Sequence, residues 1–138
     1  MENENKPAIG VAIIVIKDGK ILIGQDLRKG NVFGVPGGHL ENSESLKDCA
    51  IREVSEEAGI ICKQPVLVSV YDFYRADKNK TYVTIGMKCD YVSGEPKDLE
   101  SERRFNWNWY KPEEALRLNL FPPDKTLIER FLSGIIYE

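Results

Sequence analysis

The stretch from Gly38 to Ile60, GHLENSESLKDCAIREVSEEAGI, decides how this chain is read. It predicts a polar loop running into one amphipathic helix that carries Glu53, Glu56 and Glu57 in its last turns. Those glutamates stand at i, i+3 and i+4, so they crowd one patch of helix surface. Carboxylates that close repel one another, and one must hold a proton unless a cation sits among them. Hard divalent ions such as Mg²⁺ or Mn²⁺ take oxygen ligands of this kind. The competing reading is a solvated acidic face, and a helical wheel argues against it. Leu46, Ala50, Ile51, Val54 and Ala58 span an apolar arc of roughly 140° at about 100° per residue. Asp48, Arg52 and Ser55 fall opposite, where solvated residues belong. Glu57 projects between Leu46 and Ala50 at the edge of the core stripe, with Glu53 beside it and Glu56 toward the polar side. A carboxylate held against apolar surface needs a compensating partner or a metal.

Just upstream, Val35-Pro36-Gly37-Gly38 reads as an irregular bend, because proline fixes φ and paired glycines allow approaches that a side chain would block. Carbonyls at such a bend can face a cation. Ser43 or Ser45 can cap the helix and Gly59 can stop it, so the bend is expected to fold back toward the carboxylates. Ile9 to Ile16 is a β-rich run too apolar to have one face in water, hence a central strand. Lys17-Asp18-Gly19-Lys20 is a turn, with Ile21 to Gly24 returning as hairpin partner. Gln25 to Asn31 reads as an exposed loop whose Arg28-Lys29-Gly30 is a candidate phosphate contact, a solvated loop being the alternative.

Downstream, Val66 to Tyr74 and Tyr82 to Val92 read as paired strands, and Asp98 to Arg104 as a charged loop holding Glu100 and Glu102. Phe105 to Tyr110 alternates aromatic and polar residues as a short half-exposed strand. A helical turn opens at Pro112. Asp124 can cap a last helix with Leu127, Ile128, Phe131, Leu132 and Ile135 on one stripe. Two real helices among several strands predict an α+β fold, a mixed sheet with a helix on each face.

The chain has 138 residues, 42% hydrophobic and 30% charged, which suits one soluble domain with a proper core (1–138), residues 1–7 being a loose polar terminus. A net charge of −3 without a Lys/Arg run argues against a nucleic-acid partner. Cys49, Cys62 and Cys89 lack CxxC spacing and read as reduced, buried thiols in a cytoplasmic protein. No signal peptide or transmembrane-length run is visible, so no membrane partner is expected.

Gly38, Glu44, Arg52-Glu53, Val54, Glu56-Glu57, Gly59 and Ile60 stand at the spacing of the Nudix box. Seven of these nine, the glycines, the glutamates and the arginine, are fixed identities that would coincide by chance on the order of once in 10⁸ positions. The approach Phe33-Gly34-Val35-Pro36-Gly37-Gly38-His39-Leu40-Glu41 resembles the family as well. Tyr82-Val83-Thr84-Ile85, Met87-Lys88, Gly94-Glu95-Pro96-Lys97 and Trp107-Asn108-Trp109 resemble the MutT-like nucleotide diphosphatases, including the subgroup acting on purine and thiopurine nucleotides. The resemblance covers roughly residues 8 to 132. It implies an α/β/α sandwich and metal-dependent hydrolysis of a nucleoside diphosphate linked to another group. By the same resemblance, Glu53, Glu56 and Glu57 hold Mg²⁺ (Mn²⁺ as substitute) with the Gly37 or Gly38 carbonyl. Arg52 orients the glutamates, Glu44 is a structural partner, and Glu100, with Glu102 as runner-up, supplies a late metal ligand. The general base is taken as Glu53.

The expected reaction is hydrolysis of a nucleoside triphosphate, its base oxidised, modified or ordinary, to monophosphate and pyrophosphate. Arg28, Lys29, Phe33 and His39 are the candidate substrate contacts, and Trp107/Trp109 a candidate base pocket. For one tryptophan a core position is the stronger alternative, and for His39 a loop hydrogen bond is an equal one. ADP-ribose or a nucleotide sugar is the alternative substrate, and a catalytically silent nucleotide sensor the alternative class. Homodimerisation through apolar strands such as Phe105 to Tyr110 is a further expectation.

Overall fold

The computed structural model describes residues 6–137, apart from the side chain of Lys29. The loose terminus expected at residues 1–7 therefore lies largely outside the described residues. The strand Ala8–Lys17 (β1) is the centre of the molecule. Ile13, Ile14 and Val15 are wholly buried, as an uninterrupted apolar run with both faces covered must be. Along one edge β1 runs parallel to Lys80–Ser93 (β6), with Ile13 opposite Met87. Its other edge is divided between two antiparallel strands, Lys20–Asp26 (β2) at its far end and the short Gly37–His39 (β4) near its start. Val32–Gly34 (β3) and Arg104–Tyr110 (β7) pair with β2, and Ile61–Arg75 (β5) pairs with β6. The described residues thus form one mixed seven-stranded sheet, the fold class read from the sequence.

The side chains of β1 alternate between two layers. Val11, Ile13 and Val15 pack with Cys49, Ala50, Val54 and Ala58 of the helix Leu46–Ala58 (α1) on one face. Ala12 and Ile14 pack with Leu127 and Ile128 of Pro122–Ser133 on the other. That last helix is α3, since Pro112–Ala115 makes a short α2 before it. α1 starts where Ser45 Oγ accepts from the Asp48 amide at 3.0 Å and stops where Gly59 turns left-handed at φ 70°. Cys49, Cys62 and Cys89 are buried, unbridged thiols.

Several expectations need correcting. Gly37–His39 is regular strand, because Pro36 is followed by glycines slim enough to lie flat on β1. Gln25 and Asp26 extend β2, and Leu27–Lys29 is a 3-10 turn, so Asp26 is buried where an exposed loop was expected. Arg104 opens β7 and leaves the charged loop. Asp124 does not cap α3; Phe121 holds that place, and Asp124 sits buried in the first turn with its carboxylate accepting from the Val35 amide. Leu46 and Leu132 are exposed, and Ile135, expected on the last helix, lies beyond its Gly134 cap and is exposed as well.

Leu127 lies where a Cβ on Gly86 of β6 would stand, so α3 and the sheet meet there in direct contact. Leu127→Ala should lower unfolding free energy by about 2–5 kcal/mol, read from urea melts.

Candidate active site

Two glycines set the site. Gly37 and Gly38 face Ala12 and Val11 across the ladder, and a Cβ on Gly37 would strike the Val11 carbonyl. A Cβ on Gly38 would strike the Glu53 carboxylate. The end of α1 therefore reaches the backbone of β4. The Gly37 amide donates to Glu57 Oε1 at 2.7 Å. Glu57 is 2% exposed, and burial pushes its carboxyl up to about 7 against the opposing pull of Arg104 and the Gly37 amide. Burial also raises Glu53, again against a neighbouring arginine, Arg52.

Arg52 is the hub on the outer side. Its guanidinium donates to Glu44 at 2.6 and 3.0 Å, to Glu53 Oε1 at 2.8 Å, to Glu56 Oε2 at 3.2 Å and to the His39 carbonyl at 3.3 Å. The wheel placed it in solvent; the loop carrying Glu44 folds over it and makes it the organiser of the cluster. That grip lowers the Glu44 carboxyl to about 2. Glu56 remains half outside the cluster, with its side chain 51% exposed.

These groups open into a cavity of about 380 Å³. Glu53, Glu56, Glu57 and Glu100 line it together with Gly37, Gly38, His39 and Arg28. Arg28 grips buried Asp26 at 3.1 and 3.2 Å, and Glu100 pairs with Arg103 at 2.9 Å. His39 stacks on Tyr82, ring centroids 6.0 Å apart. Other expected contacts are not at the site. Phe33 packs into the core beside α3, because β3 turns its ring inward, and Glu102 does not reach the cavity. Trp107 is buried in the core under α1, and Trp109 packs on Tyr91, so neither lines a base pocket. With Trp107 turned inward, Phe105 to Tyr110 is no open apolar face. The side chain of Lys29 lies outside the described residues.

The structure adds residues that the sequence reading missed. Phe73 and Phe121 meet edge to face at 5.7 Å on the cavity wall, with Arg75 and Lys78 at the tip of the β5–β6 hairpin. Period-2 alternation puts Phe73 and Arg75 on one face of β5 and could have singled them out. Arg104, only 2% exposed, lies 3.6 Å from both Asp26 Oδ2 and Glu57 Oε2. Nothing local distinguishes it from Arg103; only the pairing of Asp26 with Arg104 across β2 and β7 brings it inside.

Among the described residues no three acidic, histidine or cysteine side chains are already gathered around one cation position. Glu53 is turned onto Arg52 and Glu57 onto the Gly37 amide. The donor chemistry nonetheless suits a hard divalent ion. It is all oxygen, and it includes carboxylates whose charge burial disfavours.

A family model described as the NUDIX domain matches residues 5–131, and the chain belongs to the Nudix hydrolases. Its architecture is MutT-like. The solved MutT NUDIX hydrolase from Burkholderia pseudomallei superposes with a TM-score of 0.83 over 91% of this chain and 98% of that one, at 26% identity. The ADP-ribose pyrophosphatase of Methanocaldococcus jannaschii is 36% identical over 95 residues, which cover 66% of this chain and 55% of that protein. This chain thus matches about half the length of that relative. The CTP pyrophosphohydrolase of Escherichia coli K12 is 29% identical over 126 residues, 89% of this chain and 90% of that one.

Glu57 has a measurable consequence. Its carboxyl stands at about 7 in the folded chain against 4.5 ordinarily. Between those values the folded state keeps a proton that the unfolded state has lost, so metal-free stability falls as pH rises. The fall attributable to Glu57 is about 3 kcal/mol at most. Glu57→Gln should remove it. Urea melts at pH 5 and pH 8 in a chelator would read the difference, and identical pH profiles for the two proteins would refute it.

Proposed function

We propose that the chain, as one Nudix domain, hydrolyses a nucleoside triphosphate to nucleoside monophosphate and pyrophosphate with Mg²⁺, or Mn²⁺ in its place. One observation carries the reading: the carboxylates of Glu53, Glu57 and Glu100 line the same cavity as the cationic side chains of Arg28, Arg75, Lys78 and Arg103. Carboxylates of that kind suit a cation, and the basic side chains beside them suit an anionic phosphate chain. Coverage of nearly the whole CTP pyrophosphohydrolase supports a triphosphate. The ADP-ribose relative keeps ADP-ribose or a nucleotide sugar as the second reading.

In this proposal Glu53, Glu56 and Glu57 would hold the cation with a carbonyl of Gly37 or Gly38, and Glu100, which lines the same cavity, would add a ligand. The bound ion supplies positive charge against the phosphates and acidifies water. Glu53 takes the proton from the attacking water, for which its raised carboxyl suits it. Arg52 keeps Glu53 and Glu56 aligned while Glu44 anchors Arg52. Water attacks the β-phosphorus, the bridging oxygen leaves with the α-phosphate, and the basic side chains of the cavity bear the charge that accumulates. The aromatic pairs His39–Tyr82 and Phe73–Phe121 offer faces for a nucleobase. No described helix is long and apolar enough to cross a membrane. A small nucleotide in the cytoplasm is the proposed partner.

Purified protein with Mg²⁺ should release pyrophosphate and monophosphate from one or more nucleoside triphosphates, and a chelator should stop it. AMP with ribose 5-phosphate from ADP-ribose would instead select the second reading. Glu53→Gln should lower kcat by roughly 10²- to 10⁴-fold. A broad panel of nucleotides, nucleotide sugars and dinucleotides without metal-dependent turnover would leave only a silent binding domain.

A further inference from the structure

Arg104 is, with Asp26 and Glu57, among the most deeply buried charged side chains of the described residues, and no expectation assigned it a part. Its backbone is fixed by pairing with Asp26 across β2 and β7. Its Nη2 donates to the Val35 carbonyl at 2.9 Å and the Gly34 carbonyl at 3.3 Å. Its Nη1 lies 3.6 Å from Asp26 Oδ2 on one side and 3.6 Å from Glu57 Oε2 on the other. Below it the Trp107 ring lies 4.7 Å from the guanidinium carbon, and a Cβ on Gly24 would collide with that ring. The guanidinium is therefore held from three directions before it meets Glu57.

Stability alone is a poor reason to keep it there. A buried ion pair contributes little beyond what a packed hydrophobe of like volume would, and Arg104 Nε is buried without a partner. What the guanidinium adds is orientation. Glu57 offers one oxygen to the Gly37 amide and the other to Arg104, so the plane of its carboxylate is set from both ends. At 3.6 Å the Arg104 contact is an ion pair and not a hydrogen bond, so Glu57 Oε2 has no hydrogen bond to Arg104 to give up when a cation approaches it.

We propose that Arg104 is a positioning residue for Glu57: anchored on Asp26 and on the carbonyls of Gly34 and Val35, it sets where the Glu57 carboxylate stands and so how well the site holds a divalent cation. The inference rests on the metal-dependent reading above. Groups that orient metal ligands in this way contribute about 10- to 100-fold in metal affinity or activity.

The test is Mn²⁺ binding, followed by electron paramagnetic resonance of the free ion, together with steady-state kinetics at saturating metal. Wild type, Arg104→Met, Arg104→Lys and Asp26→Asn are compared after circular dichroism has established which are folded. Arg104→Met should weaken Mn²⁺ binding and lower kcat by about 10- to 100-fold while the nucleotide KM stays near wild type. Arg104→Lys should recover part of both losses, because an ammonium still faces Asp26 and Glu57. Asp26→Asn, which keeps Arg104 but removes one anchor, should show a smaller loss in the same direction and decides the matter if Arg104→Met does not fold. Wild-type Mn²⁺ affinity and kcat in the folded Arg104→Met variant would overturn the inference, whatever its melting temperature. So would a raised KM with unchanged Mn²⁺ binding, which would make Arg104 a substrate contact. Failure of the wild-type protein itself to bind Mn²⁺ would sink the metal-dependent reading first, and this inference with it.

Discussion

The hydrogen bond from the Gly37 amide to Glu57 is the contact on which the site depends. It joins the last turn of α1 to the short strand β4, and through β4 to the central strand β1. It forms only because residues 37 and 38 carry no side chain, since a Cβ at either would strike the Val11 carbonyl or the Glu53 carboxylate. The helix can then approach the sheet closely enough to bury Glu57. A buried carboxylate is electrostatically unfavourable unless something compensates it. The rest of the site is the compensation: an amide on one oxygen, a guanidinium near the other, and room beside them for a cation.

Two arginines divide the work from opposite sides. Arg52 lies at the rim, makes good charge-assisted hydrogen bonds to Glu44 and Glu53, and draws Glu56 into the same set. Arg104 lies beneath, at longer range, with its own anchors in β2 and β3. The outer arginine restrains glutamates that water also reaches, whereas the inner one restrains a glutamate that water does not. Between them the acidic cluster is kept from flying apart without being neutralised. The cavity wall is completed by other elements, chiefly the β5–β6 hairpin, which brings Phe73, Arg75 and Tyr82 to it.

The corrections that concern charged residues share one cause. Asp26, Arg104 and Asp124 all looked like surface residues of turns or caps, and all are buried. Their partners lie far away in the chain: Asp26 faces Arg104, and Asp124 accepts from Val35, 89 positions distant. Phe33 was misplaced for the same reason, whereas the core position expected for one tryptophan is taken by Trp107. Local patterning marks a ring as half-buried but does not say which side of the sheet it faces, and β3 and β7 turn Phe33 and Trp107 into the core.

The sequence by itself determined whatever short-range physics can encode. The apolar run of β1, the Ser45 cap, the Gly59 stop and the 3.6-residue periodicity define a buried central strand and a helix on its face. The i, i+3, i+4 spacing defines three glutamates on one patch, and the bare glycines before them define where that patch can touch backbone. Only the tertiary structure decided which charges oppose one another across the cavity, that Arg52 turns inward on Glu44, and that Arg104 stands behind Glu57. Strand pairing sets those contacts, and a register between distant segments leaves almost no trace in the residues on either side of it.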